Sequence, residues 1–351
     1  MQLRISAKRL VVGAMTAAVI AAGCSSSATP APSGAFKLHL QLTPSHVSVA
    51  IAADQGFLKG IDLSYELVGY GESSQLFHAG NDPIGNEAPW EAAVYQVPAK
   101  AGATADYTQG KDIVYFGTAE ANNFVAGIII RATDAGKYKT LADLKGMKIG
   151  IPGAGTGTFA AFLTLAKGLA NLDAKKDFTL VEGDPGALEG LLQKNSIEAF
   201  ITFTAPTAHA LANPAYKMIY NITDTWKTLN GAALPINGWI ADSSWLDGHL
   251  DLAKNFISGV DQGLEYLKTH LDLHHAGGKY EKFAQGEGVL VSPETTTAVD
   301  KMIVDGYFYL SAKTYTKAWA DSVYKFIQMG QGALLDTVPT QDHVFYAKTQ
   351  Y

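Results

Sequence analysis

LADLKGMKIGIPGAGTGTFAAFLTLAKGLA, residues 141–170, is the stretch in which an α/β pattern starts for a second time. Leu141 to Gly146 reads as one helical turn stopped by glycine. Residues 148–151 follow as a short apolar strand, 153–157 as a glycine-rich turn and 158–170 as an apolar helix. Downstream, strands are expected at 178–181, 199–204 and 218–222, with helices at 187–194 and 207–213. Strands separated by helices form a largely parallel sheet with helices on its faces.

Upstream, a first unit has the same grammar. Residues 36–42 (FKLHLQL) alternate as a strand, 45–57 carry helical spacing and 61–68 form a second strand. A short helix at 73–78, a third strand at 82–85, a helix at 89–99 and strands at 114–116 and 125–130 complete it. Past Pro235 the chain changes character. Residues 236–241 are strand-like, and 250–274, 293–309 and 314–329 have amphipathic helical spacing. These helices bring no strand set of their own, so the simplest arrangement returns them to the first unit. The expected fold is α/β with two lobes, each a mostly parallel sheet flanked by helices. Residues 36–125 plus 236–351 make lobe 1 and 126–235 make lobe 2, joined by hinge segments near 123–127 and 233–238.

The first 35 residues belong to neither lobe. Arg4, Lys8 and Arg9 precede an apolar run, residues 10–22, that ends at Ala21-Ala22-Gly23-Cys24. This is the layout of a secretory signal peptide over residues 1–23, too short for a comfortable membrane span of about 20 residues. Cys24 is the only cysteine, so no internal disulfide forms. Its setting resembles a bacterial lipobox, with Ala21 where Leu is usual; the plain alternative is a free thiol behind an ordinary leader. Residues 24–35 then read as a lipidated cysteine and a Ser/Ala/Pro tether. Loss of the three leader cations leaves 24 basic against 33 acidic residues, a net charge of −9, and Arg131 as the remaining arginine. Such a chain is a poor nucleic-acid binder.

Four stretches carry a family resemblance. They are Thr43-Pro44-Ser45-His46 with the VSVAIAADQGFLKGIDLSYEL that follows, Ala79 to Gly85 (AGNDPIG), Leu141 to Gly150 (LADLKGMKIG), and Leu192 to Ile201 with its Ile197-Glu198-Ala199-Phe200. In order and spacing the chain resembles the nitrate, sulfonate, taurine and thiamine-pyrimidine group of type II periplasmic binding proteins over residues 36–330. The resemblance implies a two-lobed periplasmic binding protein type II fold and a small-molecule solute held between the lobes. It also implies hand-over to the permease of an ABC transporter, and a monomer tethered to the membrane through Cys24, on the periplasmic or extracellular face. The TPSH segment is most similar to the thiamine-pyrimidine branch. The cysteine-rich loop of the pyrimidine synthases in that branch is missing here, so catalysis is not expected. An exported enzyme or a sensor domain on the same scaffold are the alternatives.

Ligands of open α/β sheets sit beyond the carboxyl ends of the strands. The loops there offer Ser45, His46, Glu72, Ser73, Glu87, Trp90, Glu120, Gly155, Thr156, Thr158, Asp184, Thr204 and Asn237 as candidate ligand-binding residues. The glycine turn before Thr158 suits an anion at a helix start. Its other readings are a structural turn or an incomplete dinucleotide fingerprint. Ser73 also serves as a simple helix cap. The acids Glu72, Glu87, Glu120 and Asp184 would suit an amine or aminopyrimidine and oppose an anion, unless they are solvated at the rim. Trp90 and Trp239 are either walls for a flat ring or core. His270 and His274 stand four apart, next to His275, but lack the glutamate of a metalloprotease motif. No metal and no cofactor are expected. The ligand class stays between a nitrogen heterocycle, such as a thiamine-type pyrimidine, and a sulfonate or other small oxyanion.

Overall fold

The computed structural model describes residues 34–69, 72–96, 112–119, 127–153 and 156–351. The expected signal peptide, Cys24, Glu120, Gly155 and most of the first hinge segment lie outside them.

Chain order runs β1 (Ala35–Gln41), α1 (Pro44–Asp54), β2 (Asp62–Val68), α2 (Glu72–His78), β3 (Gly85–Glu87), α3 (Pro89–Gln96), β4 (Ile113–Thr118) and β5 (Gly127–Arg131). Next come β6 (Lys148–Ile151), α4 (Gly157–Ala170), α5 (Ala174–Asp177), β7 (Thr179–Glu182), α6 (Pro185–Gln193), β8 (Ala199–Thr202), α7 (Thr204–Ala212), β9 (Tyr216–Asn221) and α8 (Ile222–Asn230). The last part is β10 (Gly238–Asp242), α9 (Ser243–Gly248), α10 (Leu250–Thr269), α11 (Glu281–Gly286), α12 (Pro293–Val304) and α13 (Lys317–Met329).

The strands form a five-stranded sheet, β7-β6-β8-β5-β9, a three-stranded sheet, β3-β10-β4, and the parallel pair β1-β2. The five-stranded sheet is mixed and the three-stranded sheet is antiparallel, where mostly parallel sheets were expected, for one reason. β5 and β10 are the strands by which the chain passes from one sheet to the other, and each runs against its two neighbours. The other strands of the five-stranded sheet share one direction, so their carboxyl ends lie on one side.

Alternation in that sheet fixes its two faces. Ile128 and Ile130 of β5, with Ala199 and Ile201 of β8, enter the largest apolar cluster beside Phe159 and Phe162 of α4. Ile129 and Phe200 point the other way and pack on Leu188 and Leu192 of α6. Every position of β5 from 127 to 130 is buried, as expected for a sheet covered by helices on both faces. The pair β1-β2 packs with α1, α10 and α11 in a separate apolar cluster. α12 lies along α7, and α13 along α4 and α3, so the C-terminal helices touch elements of both sheets. Among the described residues no helix is long and apolar enough to cross a membrane.

Candidate functional site

The end of β1 gathers three of the expected residues. Gln41 donates its backbone N–H to Nδ1 of His46 at 2.7 Å. The hydroxyls of Thr43 and Ser45 are 2.5 Å apart, and Ser73 donates to Oε1 of Gln41 at 3.3 Å. The His46 ring stacks on Trp239, with centroids 6.0 Å apart and planes at 18°. Burial pushes the His46 pKa down to about 4, so the ring is neutral at pH 7. With Nδ1 taken as acceptor, the neutral ring carries its proton on Nε2. Trp239 is core at 2% exposure, and its indole N–H has no hydrogen-bond partner among the described residues. Glu72, by contrast, is exposed and accepts from the N–H of Gly69 at 3.0 Å.

β3 delivers Glu87 into a network inside its own lobe. Tyr95 donates to one carboxylate oxygen at 2.5 Å, and Nε2 of His78 lies 2.9 Å from the other. Trp90 is fully buried. Its indole donates to the carbonyl of Gly157 at 3.1 Å, and its ring meets Phe326 at 5.4 Å. Its role here is packing and bridging to the start of α4.

Glu91 is the residue that the sequence reading passed over. Its carboxylate accepts the N–H of Ala88 at 2.7 Å and lies against Gly157, where a Cβ would come within 3.0 Å of Oε2. Gly157 opens the fourteen-residue α4. A carboxylate beside a helix start is favoured by the dipole, and it opposes a second anion at the same place. Thr156 caps α4 by accepting the N–H of Phe159 at 3.2 Å, and Thr158 is buried in the first turn. An acid three residues after Ala88, at the first turn of α3, was the available signal.

A pocket of about 430 Å³ lies beyond the carboxyl ends of β6, β7 and β8. That volume is in the range of small-molecule sites. Pro152, Asp184 and Phe203 come from those strand ends, Phe200 from β8 itself, and Gly286, Glu287 and Gly288 form the opposite wall. Gly286 packs on the carbonyl of Leu42 so closely that no side chain would fit there. The wall is thereby continuous with the end of β1 and its His46. Among the described residues the ionisable lining is Asp184, Glu189, Glu287 and His209, with neither lysine nor arginine.

Thr204, buried next to Phe203, joins Glu287 of the pocket wall. Thr204 sits at φ 24°, a strained position for a β-branched residue, and donates its hydroxyl to Glu287 at 3.2 Å. Burial raises the Glu287 pKa to about 7, while the Thr204 bond pulls it the other way. Nε2 of His209 stands 3.2 Å from Glu189 and Nδ1 stands 3.0 Å from the Thr295 hydroxyl of α12. Asn237 presents its carbonyl to the Tyr115 hydroxyl at 3.4 Å on the approach to β10. Of the expected residues the structure thus brings Asp184 to the pocket, with Thr204 bonded to Glu287 of its wall, and gathers Ser45, His46 and Ser73 at the end of β1. Glu87 and Trp90 are held in internal contacts.

A mixed and an antiparallel sheet joined by reversed crossing strands, with a pocket beyond the strand ends, define a periplasmic binding protein fold. Residues 43–272 match the family model described as NMT1/THI5 like, and the chain belongs to that family. No curated protein matches it in sequence. Among solved structures, the periplasmic aliphatic sulphonate binding protein SsuA of Escherichia coli is 15% identical, with a TM-score of 0.64 over 92% of this chain and 94% of that one. A protein of Bordetella bronchiseptica RB50 is 17% identical, with a TM-score of 0.63 over 89% and 95%. The periplasmic nitrate-binding protein NrtA of Synechocystis PCC 6803 is 13% identical, with a TM-score of 0.56 over 90% and 86%. At these identities the likeness is one of fold.

Proposed function

We propose that this protein is an exported substrate-binding lipoprotein that delivers a cationic nitrogen heterocycle, such as a thiamine-type pyrimidine, to the permease of an ABC importer. One observation carries the ligand class. The pocket beyond β6, β7 and β8 has Asp184, Glu189 and Glu287 in its lining, no lysine or arginine among the described residues, and Phe200 and Phe203 as apolar walls. Carboxylates and aromatic faces both favour a positively charged flat ring. The protein works by reversible binding between lobe 1 (36–125 plus 236–351) and lobe 2 (126–235), without turnover. Cys24 is its lipid attachment point, with residues 24–35 as the tether.

The second reading is a sulfonate. It is favoured by the fold shared with SsuA, a protein named for aliphatic sulphonates, and opposed by the Glu91 carboxylate at the start of α4. A thermal-shift panel of thiamine, aminopyrimidines, taurine, alkyl sulfonates and nitrate separates the two. A ligand that binds only the native state at a hundredfold excess over its Kd stabilises it by about 2.7 kcal/mol. A shift with thiamine or an aminopyrimidine supports the proposal; a shift confined to sulfonates overturns the ligand class.

A further inference from the structure

We propose that His274, His275 and Asp300 form a binding site for a divalent transition cation of the Zn²⁺ class, apart from the solute pocket. The Nε2 atoms of both imidazoles converge on one carboxylate. His274 lies 2.7 Å from Oδ1 of Asp300, and His275 lies 2.8 Å from Oδ2. One donor atom from each of the three residues falls within 4.8 Å of the others.

An ion pair needs only one imidazole. Here a second is held with its ring centroid 4.9 Å from the first. A dication accepts all three groups as ligands at once. Donor atoms of a tetrahedral zinc site, with bonds of 2.0–2.2 Å, stand about 3.3 Å apart. Opening the two imidazole–carboxylate contacts by about half an ångström brings them to that spacing, and the donor atoms already lie within 4.8 Å of one another.

The scaffold holds the three groups in place. The turn after α10 closes through Leu273 N–H to His270 O at 3.1 Å and Gly278 N–H to His275 O at 2.9 Å. Gly278 leaves no space for a side chain, since a Cβ would stand 2.3 Å from Asp272 O. Asp300 comes from α12. The neighbouring cation, Lys301, is paired with Asp305. His274 is buried, whereas the side chains of Asp300 and His275 are 20% and 36% exposed, which leaves an outer side open for water as a further ligand. Two imidazoles and one carboxylate suit Zn²⁺, Co²⁺ or Ni²⁺ better than Ca²⁺ or Mg²⁺. His270 stays outside the set. It stacks on Tyr266 at 3.9 Å, so the four-residue spacing seen in the sequence is not the one that converges.

The test is titration of the purified protein with Co²⁺, followed by its visible ligand-field bands, and with Zn²⁺ by calorimetry. One equivalent with a micromolar or tighter Kd is expected. His275→Ala and Asp300→Asn should each weaken it by at least about tenfold, with unfolding still cooperative, while His270→Ala leaves it unchanged. Absence of uptake by the unsubstituted protein at 100 µM metal, on the order of a hundred times the expected Kd, overturns the proposal. Uptake that survives both substitutions overturns it as well, because the metal then sits elsewhere.

Discussion

His46 links stability to pH in a way that can be measured. Its folded pKa of about 4 lies below the 6.5 of an unfolded histidine, so the unfolded chain takes up a proton first as pH falls. The stabilisation is fully present above pH 6.5 and is lost towards pH 4, about 3 kcal/mol in all. His46→Asn keeps an acceptor for the Gln41 amide and cannot titrate. Urea midpoints at pH 7, 5.5 and 4 should therefore fall less steeply in the variant than in the parent; parallel slopes would remove the argument. Glu287 works in the opposite sense. Its raised pKa contributes stability that is complete below about pH 4.5 and lost as pH rises through about 7. Ionisation in the same window adds a negative charge to the pocket. Affinity for thiamine, a permanent cation, should rise about tenfold from pH 6 to 8, and Glu287→Gln should flatten that rise. Calorimetric titrations at both pH values, on both proteins, decide it.

Among the elements, the contact of α1 with α10 depends on the absence of side chains. α1 is buried on every side from Pro44 to Ala52 and has no exposed face there. Gly263 of α10 lies over it, where a Cβ would stand 2.2 Å from Ser48 O and 3.2 Å from Ala52 N. Gly263→Ala is expected to cost about 1–3 kcal/mol by urea unfolding, although alanine is the better helix former. A variant at least as stable as the parent would mean the helices part without cost. Strong local patterns such as residues 148–151 were legible in the sequence, and so was the position of the pocket at the strand ends. The third strand was displaced, from 82–85 to Gly85–Glu87, because Asp82 is held by His39 through its ring at 2.7 Å and its N–H at 3.0 Å. α8 went unread, though Asn221 caps it and Gly231 ends it in the left-handed region. The expected strand through Thr204 stops at Thr202, where the chain turns sharply into α7. At the site, Asp184 follows from its place after β7. The contacts of Glu287 with Thr204, 83 residues apart, and of Glu91 with Gly157 have no local signature, because packing rather than sequence spacing brings them together.

On the scale of the whole molecule, the largest apolar cluster ignores the division into two sheets. It holds Ile128, Ile149 and Phe162 from the five-stranded sheet and α4 together with Tyr115 of β4 and Trp90 of α3. α13 closes the gap between them. Its Trp319 donates to Ala233 O at 2.9 Å and stacks on Tyr115 at 5.9 Å, while Phe326 touches both Trp90 and Trp226. Ser322 accepts the indole N–H of Trp226 at 3.2 Å. Lobes that met only through two crossing strands would unfold separately, since chains with several domains commonly depart from two-state behaviour. A shared apolar cluster couples them. Scanning calorimetry should therefore give one transition, with calorimetric and van't Hoff enthalpies equal. Trp319→Ala removes the ring at the centre of this junction, and its cost is about 3–5 kcal/mol. If α13 is the coupling element, the same scan on the variant splits or broadens into two unequal steps. Two resolved steps already present in the parent protein would show that the lobes fold independently and that the cluster around Trp319 is too weak to hold them as one unit.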